Sequence, residues 1–292
     1  MKTVLLCGGL GTRLGEKTTL MPKPLVEVGE HPILWHIMNI YSYHGFNDFV
    51  LALGYKGKAI KDYFLNFHAL NNNLEINLQN GAIKHFENLS QDWRVSLVDT
   101  GENTMTGGRL LRLRSYLEKE EIFMLTYGDG VANVDIKKLV EFHIRHKRIA
   151  TLTIVRPPSR FGVMHFDGDR VISFQEKPQT EDGWINGGFF VFRREVFDYL
   201  DNDITILERK PLERLAADGQ LMAYRHSDFW QCMDTMRDKN FLNEIWNSGD
   251  APWFNKGMVN KDNRSNRNVT AEEKSAPTFI TANPEKEKFN VL

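Results

Sequence analysis

Thr3-Val4-Leu5-Leu6-Cys7-Gly8-Gly9-Leu10-Gly11-Thr12-Arg13-Leu14 is the stretch on which the reading of the fold turns. Five β-branched or apolar residues run together and stop at glycines, which predicts a buried first strand feeding a loop. Three glycines let the backbone turn tightly and bring N–H groups close to a phosphate chain; Thr12 adds a hydroxyl and Arg13 a fixed cationic fork. The loop is not a dinucleotide fingerprint, because Leu14 stands where the third glycine belongs. Nor is it a P-loop, because no Gly-Lys-Ser/Thr follows at the required spacing. Taken alone it also reads as an ordinary strand–loop turn.

Outward from that strand, apolar runs alternate with helical patterns. Pro32–His44 and Lys58–Phe67 read as helices, and Asp48–Leu53, Phe123–Tyr127 and Thr151–Val155 as strands. In Asp135–His146, residues Ile136, Leu139, Val140, His143 and Ile144 fall on one helical stripe. Alternation of this kind predicts an α/β fold, a Rossmann-like, mostly parallel mixed sheet flanked by helices. Beyond Pro157-Pro158 shorter strands follow at Val163–Phe166, Val171–Phe174 and Phe189–Phe192, an additional β-rich part expected to extend the same sheet. Helices over Leu207–Ala217 and Met236–Asn247 close it. From residue 254 to 292 the chain is rich in Asn, Lys, Glu, Thr, Ser and Pro, which predicts a disordered tail after one domain at 1–253.

The bulk numbers exclude several classes. Among 292 residues, 41% are apolar, enough for a sizeable core, and 37 basic residues nearly balance 38 acidic ones. No basic excess points to a nucleic-acid or membrane-surface partner. Cys7 and Cys232 are too few for a disulfide scaffold and read as small buried residues of a cytoplasmic protein. The apolar run after Lys2 is too short for a signal core, and no stretch has the length of a membrane span. His143 and His146 lack the further ligands of a zinc set and read as a solvated face; Trp230 and Trp246 read as packing residues.

Downstream of the glycine loop, Pro22-Lys23-Pro24 presents one cation on a stiff, extended segment. Gly-Gly-X-Gly-Thr-Arg-Leu followed by Pro-Lys-Pro resembles the signature of the sugar-phosphate nucleotidyltransferases. The likeness continues in family order through Tyr127-Gly128-Asp129-Gly130, Glu176-Lys177-Pro178, Ile185-Asn186-Gly187-Gly188 and Met233-Asp234-Thr235, over about residues 1–253. Asp99-Thr100-Gly101 and Met105-Thr106-Gly107-Gly108-Arg109-Leu110 are similar to the cytidylyl-transferring branch, while UTP- and dTTP-using relatives usually carry a glutamine-led loop here.

The resemblance implies CTP and glucose 1-phosphate as substrates and Mg²⁺ as cofactor, held by Asp129 and Asp234. It implies a nucleotide site of Leu6, Gly8, Gly9, Gly11, Thr12, Arg13, Lys23, Thr104, Arg109 and Gly128, with Arg13 and Lys23 catalytic. It implies a sugar-phosphate site of Tyr127, Glu176, Lys177, Asn186 and Gly187, with Phe161-Gly162 nearby. It further implies a homo-oligomer, often a hexamer, that supplies CDP-glucose for bacterial surface polysaccharide. In this reading Gly107-Gly108 lets a pyrimidine lie against the backbone, Arg109 donates to O2 and N3 of cytosine, and Gly187 admits a hexose. By itself Arg109 reads as a solvated arginine on a basic helix, and each aspartate as a turn residue. The same chemistry with UTP or dTTP is one alternative, and a non-catalytic nucleotide-sugar-binding regulatory subunit of the same fold is the alternative from another class.

Overall fold

The computed structural model describes residues 1–9, 11, 21–86, 91–157, 163–167, 170–175 and 183–254. Its centre is a seven-stranded sheet. In chain order the strands are β1 (Thr3–Cys7), β2 (Asp48–Leu53), β3 (Arg94–Asp99), β4 (Ile122–Tyr127), β5 (Ala150–Val155), β6 (Ile185–Arg193) and β7 (Leu221–His226). Their spatial order is β7-β5-β6-β4-β1-β2-β3. All neighbours pair in parallel except β6, which lies antiparallel between β4 and β5.

Period-two geometry divides β1 between two cores. Leu5 and Cys7 face one cluster with Ile33, Leu34 and Ile37 from α1 (Ile33–Tyr43). Val4 and Leu6 face the other, with Leu110 from α2 (Thr106–Arg112) and Leu215 from α3 (Lys210–Ala217). A strand buried on both faces favours apolar side chains at every position, which is why the opening run reads as nearly continuous hydrophobe after Thr3.

Three expectations change. Val163–Asp167 and Arg170–Gln175 pair with each other in a separate hairpin, and only β6 joins the main sheet. The His143–His146 pair is not on a solvated face. His143 is buried on the apolar stripe of its helix, and both rings bond the Thr151 hydroxyl, at 2.8 and 2.7 Å. Burial, then His146 and Arg193, lowers the His143 pKa to about 3, so the ring is neutral. Phe254, assigned to the tail, packs with its ring 5.1 Å from that of Trp246; the rest of the expected tail lies outside the described residues. Among the described residues no helix is long and apolar enough to cross a membrane.

Candidate active site

The chain leaves β1 for β2 on one side, then returns after β3 to place β4 on the other side of β1. That reversal parts the loops at the carboxyl ends of β1 and β4, the position where open α/β sheets form ligand crevices. A cleft of about 510 Å³ opens there. Its walls include Leu6, Gly8, Gly9 and Gly11 from the β1 end, Tyr127, Gly128 and Asp129 from the β4 end, and Thr104 and Arg109 from the start of α2.

At one end of the cleft, Lys23 Nζ lies 2.6 Å from Asp129 Oδ2 and 2.7 Å from Asp234 Oδ1. Three residues far apart in sequence thus meet at one point. Lys23 opens a single 3-10 turn, Lys23–Leu25, rather than standing on extended backbone as expected. Pro22 is the extended residue, and Pro24 fits the first turn because no N–H is needed there. The turn closes through Leu25 N to Pro22 O at 2.9 Å and Val26 N to Lys23 O at 3.0 Å. Burial alone would lower the Lys23 pKa; the charge and hydrogen bonds of Asp129, then Asp234, outweigh it and raise the pKa above the ordinary lysine value.

Asp129 stands two residues beyond the end of β4. Asp234 is set by its neighbours: Asp238 accepts from the backbone N–H groups of Asp234 and Thr235, at 3.0 and 2.8 Å, in a capping box at the start of Met236–Ser248. Burial, then Asp129, raises the Cys7 thiol pKa, and burial, then Asp234, pushes Cys232 up to about 12. Both shifts favour the protonated thiol.

The other cation of the cleft has a different setting. Arg109 is 5% exposed. Its guanidinium donates to the carbonyls of Leu53, Gly101, Gly8 and Glu102 and to the Thr100 hydroxyl, at 2.7 to 3.0 Å. It therefore ties the ends of β1, β2 and β3 together. A Cβ on Gly8 or Gly54 would fall 2.2 or 2.3 Å from this group, so both glycines make room for it. The reading as a solvated surface arginine fails. The reading as a cytosine donor meets a guanidinium already engaged with five acceptors. The segment Asp203–Leu207 takes the space expected for a base at Gly107-Gly108: a Cβ on Gly108 would lie 2.3 Å from Asp203 O. Small residues are needed there for packing between segments.

On the opposite wall, Tyr127 Oη donates to Glu208 Oε1 at 2.6 Å and accepts from Asn186 Nδ2 at 3.0 Å. Gly187 is buried, with Val155 in the space its side chain would fill and its carbonyl accepting from Trp230 Nε1 at 2.8 Å. Its missing side chain makes room for packing against β5. Thr12, Arg13, Phe161, Gly162, Glu176 and Lys177 lie outside the described residues. Glu102, Asn103, Met105 and Thr106 line the cleft but were not anticipated. Neither was Glu208, which no motif flags because its partners are distant in sequence.

Residues 2–235 match the family model described as Nucleotidyl transferase, so the chain belongs to the nucleotidyltransferase family. Among individual relatives, the glucose-1-phosphate cytidylyltransferase of Salmonella typhi is 49% identical over 253 residues, 87% of this chain and 98% of that protein. The mannose-1-phosphate guanylyltransferase catalytic subunit beta of Danio rerio is 30% identical over 83% of this chain and 63% of that protein. The crystal structure of HddC from Yersinia pseudotuberculosis has the same fold, with a TM-score of 0.63 over 84% of this chain and 99% of that one, at 23% identity.

Proposed function

We infer that this chain transfers the cytidylyl group of CTP to α-D-glucose 1-phosphate, giving CDP-glucose and pyrophosphate. Its 49% identity to a curated glucose-1-phosphate cytidylyltransferase over 87% of the chain supports that reaction. Identity to a guanylyl-transferring relative is lower, at 30%. The observation that carries the chemistry is the meeting of Lys23 with Asp129 and Asp234 at the mouth of the sheet.

Two carboxylates converging on one cation position also suit Mg²⁺, which takes oxygen ligands and completes its shell from phosphates and water. Mg²⁺ commonly takes one or two carboxylates from the protein and its remaining ligands from substrate phosphates and water. Asp129 and Asp234 would hold it, and it would supply charge neutralisation on the triphosphate.

The reaction needs little else from the protein. A phosphate oxygen of glucose 1-phosphate bonds to the α-phosphorus of CTP; the bond from that phosphorus to the bridging oxygen breaks, and pyrophosphate leaves with the electron pair. The attacking phosphate is largely ionised at neutral pH, so no general base is required. The protonated thiols of Cys7 and Cys232 accord with a site that forms no covalent intermediate. The work is in-line positioning and screening of negative charge. Lys23 donates to phosphate oxygens once its carboxylates are engaged otherwise, with Arg13 beside it and Lys177 on the sugar phosphate. Leu6, Gly8, Gly9, Gly11, Thr12, Thr104 and Gly128 bound the nucleotide; Tyr127, Glu176, Asn186 and Gly187 bound the sugar. The enzyme works in the cytoplasm as a homo-oligomer.

A panel of CTP, UTP, dTTP and GTP with glucose 1-phosphate, followed by pyrophosphate release and product mass, tests this reading. Turnover confined to, or strongly favouring, CTP is expected. Preference for UTP or dTTP would overturn the base assignment, and nucleotide binding without turnover would overturn the enzyme.

A further inference from the structure

Glu208 stands behind the cleft, at the end of the segment Asp203–Glu208 that lies against the start of α2. That segment holds the helix start through backbone bonds: Met105 N donates to Asp203 O at 2.9 Å, Gly107 N to Thr205 O at 2.9 Å, and Leu207 N to Thr106 Oγ1 at 2.9 Å. The Glu208 side chain then reaches in two directions. Oε2 accepts from the Thr106 hydroxyl at 2.6 Å, and Oε1 from the Tyr127 hydroxyl at 2.6 Å.

Each partner belongs to a different wall. Thr106 lines the cleft beside the Glu102–Met105 strip, two residues after Thr104, which the proposed function gives to the nucleotide. Tyr127 ends β4 on the sugar side, accepts from Asn186, and lies two residues before Asp129. Both carboxylate oxygens are engaged, so a shift of one wall is transmitted to the other through a single rigid group. Tyr127 can only donate to it: burial, then the charge of Glu208, raises the phenol pKa and keeps its proton in place. Chains of hydrogen bonds with both ends satisfied have two discrete states, made and broken, and this makes them suitable carriers of coupling.

We propose that Glu208 is a positioning residue that locks the base-side wall to the sugar-side wall, so that occupancy of either side orders the other. The inference rests on the division of the cleft given under Proposed function. It makes no contact with substrate its premise; the effect runs through Thr106 and Tyr127.

Steady-state kinetics with each substrate varied test it. Glu208→Ala should raise KM for CTP and for glucose 1-phosphate together, each by about fivefold, with kcat moving less. Glu208→Gln, whose amide still accepts from Tyr127 and donates to Thr106, should restore both to within about twofold. Thr106→Val, on the base side, should raise KM for glucose 1-phosphate by about threefold in the native background and have no such cross-effect when combined with Glu208→Ala. The inference falls if Glu208→Ala leaves both KM values unchanged or moves only one, or if Thr106→Val affects CTP alone. Should Glu208→Ala not fold, the Thr106→Val cross-effect and the Gln variant decide. Absence of CTP turnover in the native enzyme would sink the functional reading instead, whereas an active native enzyme with one-sided variants sinks only this inference.

Discussion

Lys23 and Arg109 are cations on the same cleft, yet they are held by opposite means. Lys23 bonds two carboxylates, the same two that the proposed function gives to a metal ion. Arg109 bonds four backbone carbonyls and a hydroxyl. One cation meets acidic side chains and the other meets mainly backbone carbonyls. The environments agree: acidic partners raise the Lys23 pKa despite burial, whereas burial lowers that of Arg109 with only partial relief from Asp99. A cation seen in a cleft therefore says little about its task until its acceptors are known.

The largest test of this contrast removes the acidic partners. Asp129→Asn or Asp234→Asn should cut kcat by roughly a thousandfold, about 4 kcal/mol of barrier, with the melting temperature nearly unchanged. Near-native turnover in Mg²⁺ by either variant would break the metal assignment. Arg109→Lys should act on the fold instead. A lysine cannot satisfy the planar array of acceptors, so about 3 kcal/mol of stability should be lost, a fall of roughly 6–12 °C by thermal denaturation. A variant that melts normally while losing base selectivity would restore Arg109 to the role of cytosine donor. The smallest effect sharpens the lysine half. Lys23→Met should lower kcat by about a hundredfold, or 2.7 kcal/mol, yet strengthen Mn²⁺ binding without nucleotide, read by the spin-label-free EPR signal of the ion, because two carboxylates lose their internal competitor. Unchanged or weaker Mn²⁺ binding would mean that Lys23 does not share its position with the metal.

Much of this was readable before any coordinates. β1 and β2 fall at the expected bounds because a doubly buried parallel strand is a run of hydrophobe that stops where loops begin. The convergence of Lys23, Asp129 and Asp234 was expected from family motifs alone; no local pattern links a residue after Pro22 to one after Met233. β3 and β7 escaped notice because each is only partly buried and carries polar residues that mask the alternation. The setting of Arg109 was misjudged for a related reason. Arg112 and Arg114 nearby suggest a wet basic helix, and the cavity that receives the guanidinium is built by Gly8 and Gly54, far from it in sequence. Glu208 is the extreme case, a carboxylate whose meaning lies wholly in its two distant partners.

The antiparallel placement of β6 has a consequence for assembly of the sheet on the ribosome. β1 to β4 can pair among themselves as soon as Tyr127 has emerged, but β5 has no neighbour in that half. It must wait for Ile185–Arg193 to arrive and slot between it and β4. Until then the nascent chain carries the unpaired margin of β4, lined by Phe123 and Leu125, and the free apolar ribbon Ala150–Val155. Such open margins invite pairing with other chains, and they stay open until residue 193 has been added.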